Sequence, residues 1–210
     1  MTFRSILQLP KRALRRFRRN RFNRKYPNVS RSCFLGTDGA GKGCTIEADD
    51  NLRIGPNSLV GPGSELLVYR NHFSRPLDSS LTIGGHVRIT ARCRITCAGN
   101  IKIGDDVLIA PDVFITDHSH GMDPEAKGGY SPQELTIRNV RIEDGVWLGQ
   151  RVCVLPGVTV GAHSIIGANS VVTHDIPPYK IAVGVPARVI KKWNSDRKCW
   201  DHVSRYQEQD

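Results

Sequence analysis

Aromatic residues make up only 7% of the 210-residue chain, so a core built on large rings is excluded. The six cysteines contain no CxxC pair, which argues against a zinc site or a disulfide framework and for a reduced, cytoplasmic protein. No apolar run approaches the ~18–20 residues that a membrane-spanning helix requires. Acidic residues are missing from the first 25 positions, which hold ten of the 30 Lys and Arg; the remaining 20 cations face 20 Asp and Glu. The net charge of +10 therefore sits in that segment, and the body is balanced.

What is abundant is Gly (20) and Pro (12), the composition of a chain with many turns and a core of small aliphatic side chains. Every sixth residue from Ile142 is aliphatic: Ile142, Leu148, Val154, Val160, Ile166 and Val172. Gly149, Gly161 and Gly167 each follow one of these rungs, and Val146, Val152, Val158, Ser164 and Ser170 form a second small set four residues on. The same phase runs through Ile54, Val60 and Leu66, through Ile83, Ile89, Ile95 and Ile101, and through Ile103, Ile109 and Ile115. A period of six suits a short flat strand followed by a corner, three of which close one triangular coil. Stacked coils bring like residues together at about the 4.8 Å strand spacing, and glycine is expected to tolerate the backbone conformations needed beside the inward aliphatic residue. Insertions at 67–80 and 116–136 interrupt the phase.

The stretch from Val146-Trp147-Leu148-Gly149 through Leu155-Pro156-Gly157-Val158, Ile166-Gly167-Ala168-Asn169-Ser170-Val171-Val172-Thr173 and Gly184-Val185-Pro186-Ala187-Arg188 closely resembles the hexapeptide-repeat acetyltransferases. The resemblance implies an all-β, left-handed parallel β-helix working as a homotrimer with sites between subunits. Acetyl-CoA would be the acetyl donor, without a metal. The expected organisation is a basic tail at 1–26, a β-helix domain at 27–175 and an extension at 176–210 carrying a short helix.

Acetyl transfer to a hydroxyl needs a base for the departing proton, and histidine titrates in the right range. The segment Asp117-His118-Ser119-His120-Gly121-Met122-Asp123 stands where the long insertion leaves the repeat. His120-Gly121-Met122-Asp123 matches the spacing around the family's catalytic histidine, so His120 is the favoured base and His118 the alternative, with Asp117 or Asp123 orienting a ring. The other histidines, His72 among them, read as surface or corner residues. By resemblance, Trp147, Gly149, Ala168, Ser170 and Thr173 line a ridge for the pantetheine arm, and Arg188, Lys191 and Lys192 meet phosphates. A loop at Gly36-Thr37-Asp38-Gly39-Ala40-Gly41-Lys42-Gly43 mimics a phosphate-binding loop, but Gly43 replaces the hydroxyl residue that would hold magnesium.

The expected reaction is O-acetylation of a carbohydrate in bacterial surface polysaccharide synthesis. Alternatives are N-acetylation of an amino sugar nucleotide, O-acetylation of an antibiotic, and a non-enzymatic scaffold binding a metal or a partner. No nucleic-acid partner is expected. The segment 1–25 suits peripheral contact with an anionic inner-membrane surface, at about 1 kcal/mol per basic residue near it. Deleting residues 2–25 is expected to leave acetyl-transfer activity intact while abolishing co-sedimentation with anionic liposomes. In the full chain that co-sedimentation should fade as salt approaches about 1 M.

Overall fold

The computed structural model describes residues 25–36 and 43–203. The basic tail up to residue 24, most of the loop resembling a phosphate-binding motif, and residues 204–210 lie outside the described part. Short strands form three parallel sheets, the faces of a triangular prism. Face I holds Phe34–Leu35, Leu59–Val60, Arg88–Ile89, Leu108–Ile109, Trp147–Leu148, Ile165–Ile166 and Lys180–Gly184. Face II holds Thr45–Glu47, Glu65–Val68, Arg94–Cys97, Phe114–Thr116, Cys153–Val154 and Val171–Val172. Face III holds Leu52–Ile54, Ser80–Ile83, Asn100–Ile103, Val140–Ile142 and Thr159–Val160. The chain visits faces II, III and I in turn, which makes the molecule a parallel β-helix.

The aliphatic rungs stack as the repeat predicts. On face II, Leu66, Ile95, Ile115, Val154 and Val172 are register partners from coil to coil. Ile54, Ile83, Ile103, Ile142 and Val160 do the same on face III. All of them are buried. Burial of each rung contributes roughly 1.5–3 kcal/mol, and the branched side chains suit a flat, pleated surface. Where the second set is serine, its hydroxyl substitutes for a ladder partner: Ser164 donates to the Pro177 carbonyl and accepts from Lys180 N–H.

Glycine acts differently from the sequence expectation. The corner residues in the left-handed region are mostly not glycine, and include Asn57, His86, Arg92, Asp106, Asp112, Arg151, His163 and Asn169. Several are held by the corner above or below, as in the Arg92–Asp112 pair at 2.7 Å. The glycines that follow the rungs have no such backbone angle; they are required for space. A Cβ on Gly61 would lie 1.9 Å from the Thr90 carbonyl oxygen of the next coil, and one on Gly55 would lie 2.5 Å from the Gly84 carbonyl carbon.

Residues 180–202 build strands, not the expected helix: Lys180–Gly184 joins face I and then pairs antiparallel with Ala187–Asn194, which pairs with Cys199–His202. The open edge of face I offers this segment backbone partners that an isolated helical turn lacks.

Gly61→Ala is expected to cost about 1–3 kcal/mol because two backbones must separate to admit one methyl group. Thermal and urea unfolding of the variant against the parent protein measures the loss.

Candidate functional site

Both insertions leave the prism at the corner between faces II and III, one after Glu65–Val68 and the other after Phe114–Thr116. The coil between them, Arg94–Cys97 to Asn100–Ile103, turns the same corner with only Ala98 and Gly99. Two long loops thus rise on either side of a tight corner, with strand spacing keeping them about 10 Å apart at their roots.

Asp117 begins the second loop and is buried. Its carboxylate accepts Ala98 N–H at 2.8 Å and Gly99 N–H at 2.9 Å, and lies 3.4 Å from the Cys97 thiol. Gly99 is glycine for a local reason: a Cβ there would stand 2.3 Å from the Ile137 side chain. The same carboxylate lies 3.0 Å from His118 Nδ1. Burial pushes the Asp117 carboxyl upward, but the hydrogen bonds from His118, Ala98, Gly99 and Cys97 outweigh it and hold the group below its usual range. Burial, reinforced by the neighbouring Asp117 charge, raises the Cys97 thiol far above its ordinary value, so that sulfur stays protonated.

The ionised Asp117 fixes His118 as an Nδ1–H donor, leaving Nε2 as the free basic nitrogen. The ring is 16% exposed, packs edge-on against Tyr69 at 5.7 Å, and belongs to the short strand His118–Ser119 paired with Thr136–Ile137. His120 is exposed, with its ring 5.4 Å from that of His72. His72 Nε2 donates to the Gln133 carbonyl at 2.9 Å and so ties the first insertion to the second. Asp123 orients no histidine; its Oδ1 accepts Glu125 N–H in a local turn. The histidines line a cavity of about 340 Å³ together with Tyr69, Asn71 and Phe73. The sequence reading of His72 as a surface residue missed this, and neither Tyr69 nor Phe73 stands in a motif that would have pointed to it.

The ridge residues divide. Trp147 is 47% exposed on face I and Ala168 is exposed, but Gly149 is buried: a Cβ there would lie 2.7 Å from the Ala168 backbone N, so this glycine packs coil on coil and offers no open ridge. Lys191 pairs with Ile181, which continues the Trp147 and Ile165 row, while Arg188 and Lys192 are exposed on the same hairpin. None of the three cations has an ion pair among the described residues. Ser170 does not belong to an exposed ridge: it is fully buried, and its hydroxyl accepts Gly184 N–H at 3.0 Å. Thr173 follows the last strand of face II and contacts His174 Nδ1 at 2.7 Å, away from Trp147.

Residues 139–174 match the family described as bacterial transferase hexapeptide (six repeats). A protein of Escherichia coli K12 assigned to lipopolysaccharide biosynthesis as an O-acetyl transferase, WbbJ, is 36% identical over 164 residues, covering 75% of this chain and 80% of that one. The galactoside O-acetyltransferase of the same organism is 37% identical over 152 residues, covering 69% of this chain and 66% of that one. A solved galactoside acetyltransferase in complex with coenzyme A superposes with a TM-score of 0.57 at 26% identity, covering 91% of this chain and 76% of that one.

Asp117→Asn is expected to destabilise the fold by about 1–3 kcal/mol, because the new amide group must face a backbone N–H it cannot accept. The depressed Asp117 value stabilises the folded protein fully above the unfolded carboxylate value and is lost as pH falls through the folded one. Urea titrations between about pH 6 and pH 3 should therefore show a steeper acid loss for the parent chain than for the variant.

Proposed function

The chain belongs to the bacterial transferase hexapeptide family, and we propose that it moves an acetyl group from acetyl-CoA to a sugar hydroxyl, with His118 as general base. It is an acyltransferase, and acetyl-CoA is its co-substrate. The observation that carries the choice of base is the buried Asp117 carboxylate at His118 Nδ1. It orients the ring, selects the tautomer and stabilises the imidazolium that forms when Nε2 takes a proton, the division of labour seen in His–Asp pairs elsewhere.

In this reading the acceptor hydroxyl gives its proton to His118 Nε2 as its oxygen bonds to the acetyl carbon. The carbon–sulfur bond then breaks, and His118 returns the proton to the departing thiolate. The exposed Trp147 and Ala168 suit the pantetheine arm, because the indole offers a face and alanine lets the arm approach the backbone. Arg188, Lys191 and Lys192 supply cations for the phosphates. The sugar acceptor rests on the relatives' names and on a cavity whose lining mixes amide, imidazole and aromatic groups. Family resemblance supports left-handed winding and a homotrimer, and the outward row Leu108, Trp147, Ile165 and Ile181 offers an apolar strip for subunit packing. A lipid-linked acceptor would bring the basic segment 1–25 to an anionic membrane surface.

A second reading makes His120 the base. The His120-Gly121-Met122-Asp123 spacing and the exposure of that ring to the cavity favour it. Thiol release from acetyl-CoA with a panel of methyl glycosides, followed by mass spectrometry of the products, tests both. His118→Ala is expected to lower kcat by a factor on the order of 10² to 10⁴ with the KM for acetyl-CoA nearly unchanged. A mild His118→Ala beside a damaging His120→Ala moves the role to His120, and no acetylated glycoside from the parent protein overturns the sugar acceptor.

A further inference from the structure

The first insertion contains a hairpin, Asn71–His72 against Arg75–Pro76, closed by Phe73 and Ser74. Phe73 adopts a φ of +53°, a backbone region in which a bulky side chain is strained and glycine is at ease. Its side chain gains little from burial in return: the residue is 67% exposed, touching the His72 ring edge-on at 4.9 Å. A two-residue hairpin loop demands a positive φ at its first position, but the turn does not account for an exposed aromatic there in place of glycine or asparagine, and such costly choices concentrate where a ligand is clamped.

Three observations point to the ligand. Phe73 lines the same cavity as His118 and His120, so whatever rests on its ring lies beside the reacting groups. The hairpin is fastened to the second insertion by the His72–Gln133 hydrogen bond and by Arg75–Glu134 at 3.7 Å, which holds the ring at a fixed place relative to the histidines. Asn71, next to it in the cavity, is exposed, and its amide has no hydrogen-bond partner among the described residues. An aromatic face beside a free amide matches a sugar ring, which presents a face of C–H groups and a rim of hydroxyls.

We propose that Phe73 is the stacking platform for the acceptor sugar and a determinant of acceptor specificity, with Asn71 reading its hydroxyl rim. The inference rests on the sugar acceptor of the proposed function, and its test separates the two. Full-length parent protein, Phe73→Gly and Phe73→Trp are compared by thermal unfolding, by steady-state kinetics with acetyl-CoA and methyl β-galactoside, and by saturation-transfer NMR on methyl β-galactoside alone. Phe73→Gly is expected to keep or raise the melting temperature, because glycine relieves the backbone strain. Its KM for the galactoside should rise about tenfold and its NMR signal fade, while the KM for acetyl-CoA stays unchanged. Phe73→Trp should retain both the galactoside KM and the NMR signal. If the parent protein binds the galactoside without acetylating it, the NMR comparison still decides the role of Phe73, and only the acceptor chemistry fails. A lowered melting temperature with unchanged sugar binding in Phe73→Gly would mean that the ring serves folding. That result, or a parent protein that binds no galactoside by either method, overturns the proposal.

Discussion

In-register stacking at one strand spacing is the constraint from which the rest of this molecule follows. Ile142 pairs with Val160, eighteen residues on, and Ile83 pairs with Ile103, twenty on, so residues beyond the eighteen of the tightest coil must be taken up at a corner. Extra chain must leave at a corner, and it must return to the rung it left. The insertions obey this: Thr116 is followed by 23 residues outside the prism before Val140 resumes on Ile101. Between the two loops the short Ala98–Gly99 corner forms a floor, and its two N–H groups anchor the carboxylate that orients His118.

The same constraint divides labour among the small residues. Glycine after a rung lets adjacent coils touch backbone to backbone, as Gly61 does against Thr90. The left-handed corners are instead occupied by polar residues whose side chains reach the neighbouring corner, so the conformational cost is offset by contacts such as Arg92 with Asp112 and Asn57 with His86. Serine at inward positions closes hydrogen bonds that a valine would leave open, as Ser58 does between the Gly84 carbonyl and Val87 N–H. The prism is thereby rigid without large side chains, and a rigid frame is what an oriented proton acceptor needs.

The sequence by itself determined the rungs, because a six-residue period survives in any coil whose interior must be filled: Ile54, Ile83, Ile103, Ile142 and Val160 were legible before their stacking was known. It also marked His118 and His120, since two histidines at the start of a loop leaving a repeat stand out against aliphatic surroundings. Tertiary structure alone decided that the loops meet, because nothing local in His72 or Phe73 says that their corner lies two coils from that of His120. It separated Ser170, buried under Gly184 N–H, from the exposed Trp147, although both obey the same repeat. It made the extension a set of strands, because the open edge of face I was available to pair with. And it chose Asp117 over Asp123 as the partner of a histidine: each stands three residues from His120, but only Asp117 sits over a corner whose two N–H groups it accepts.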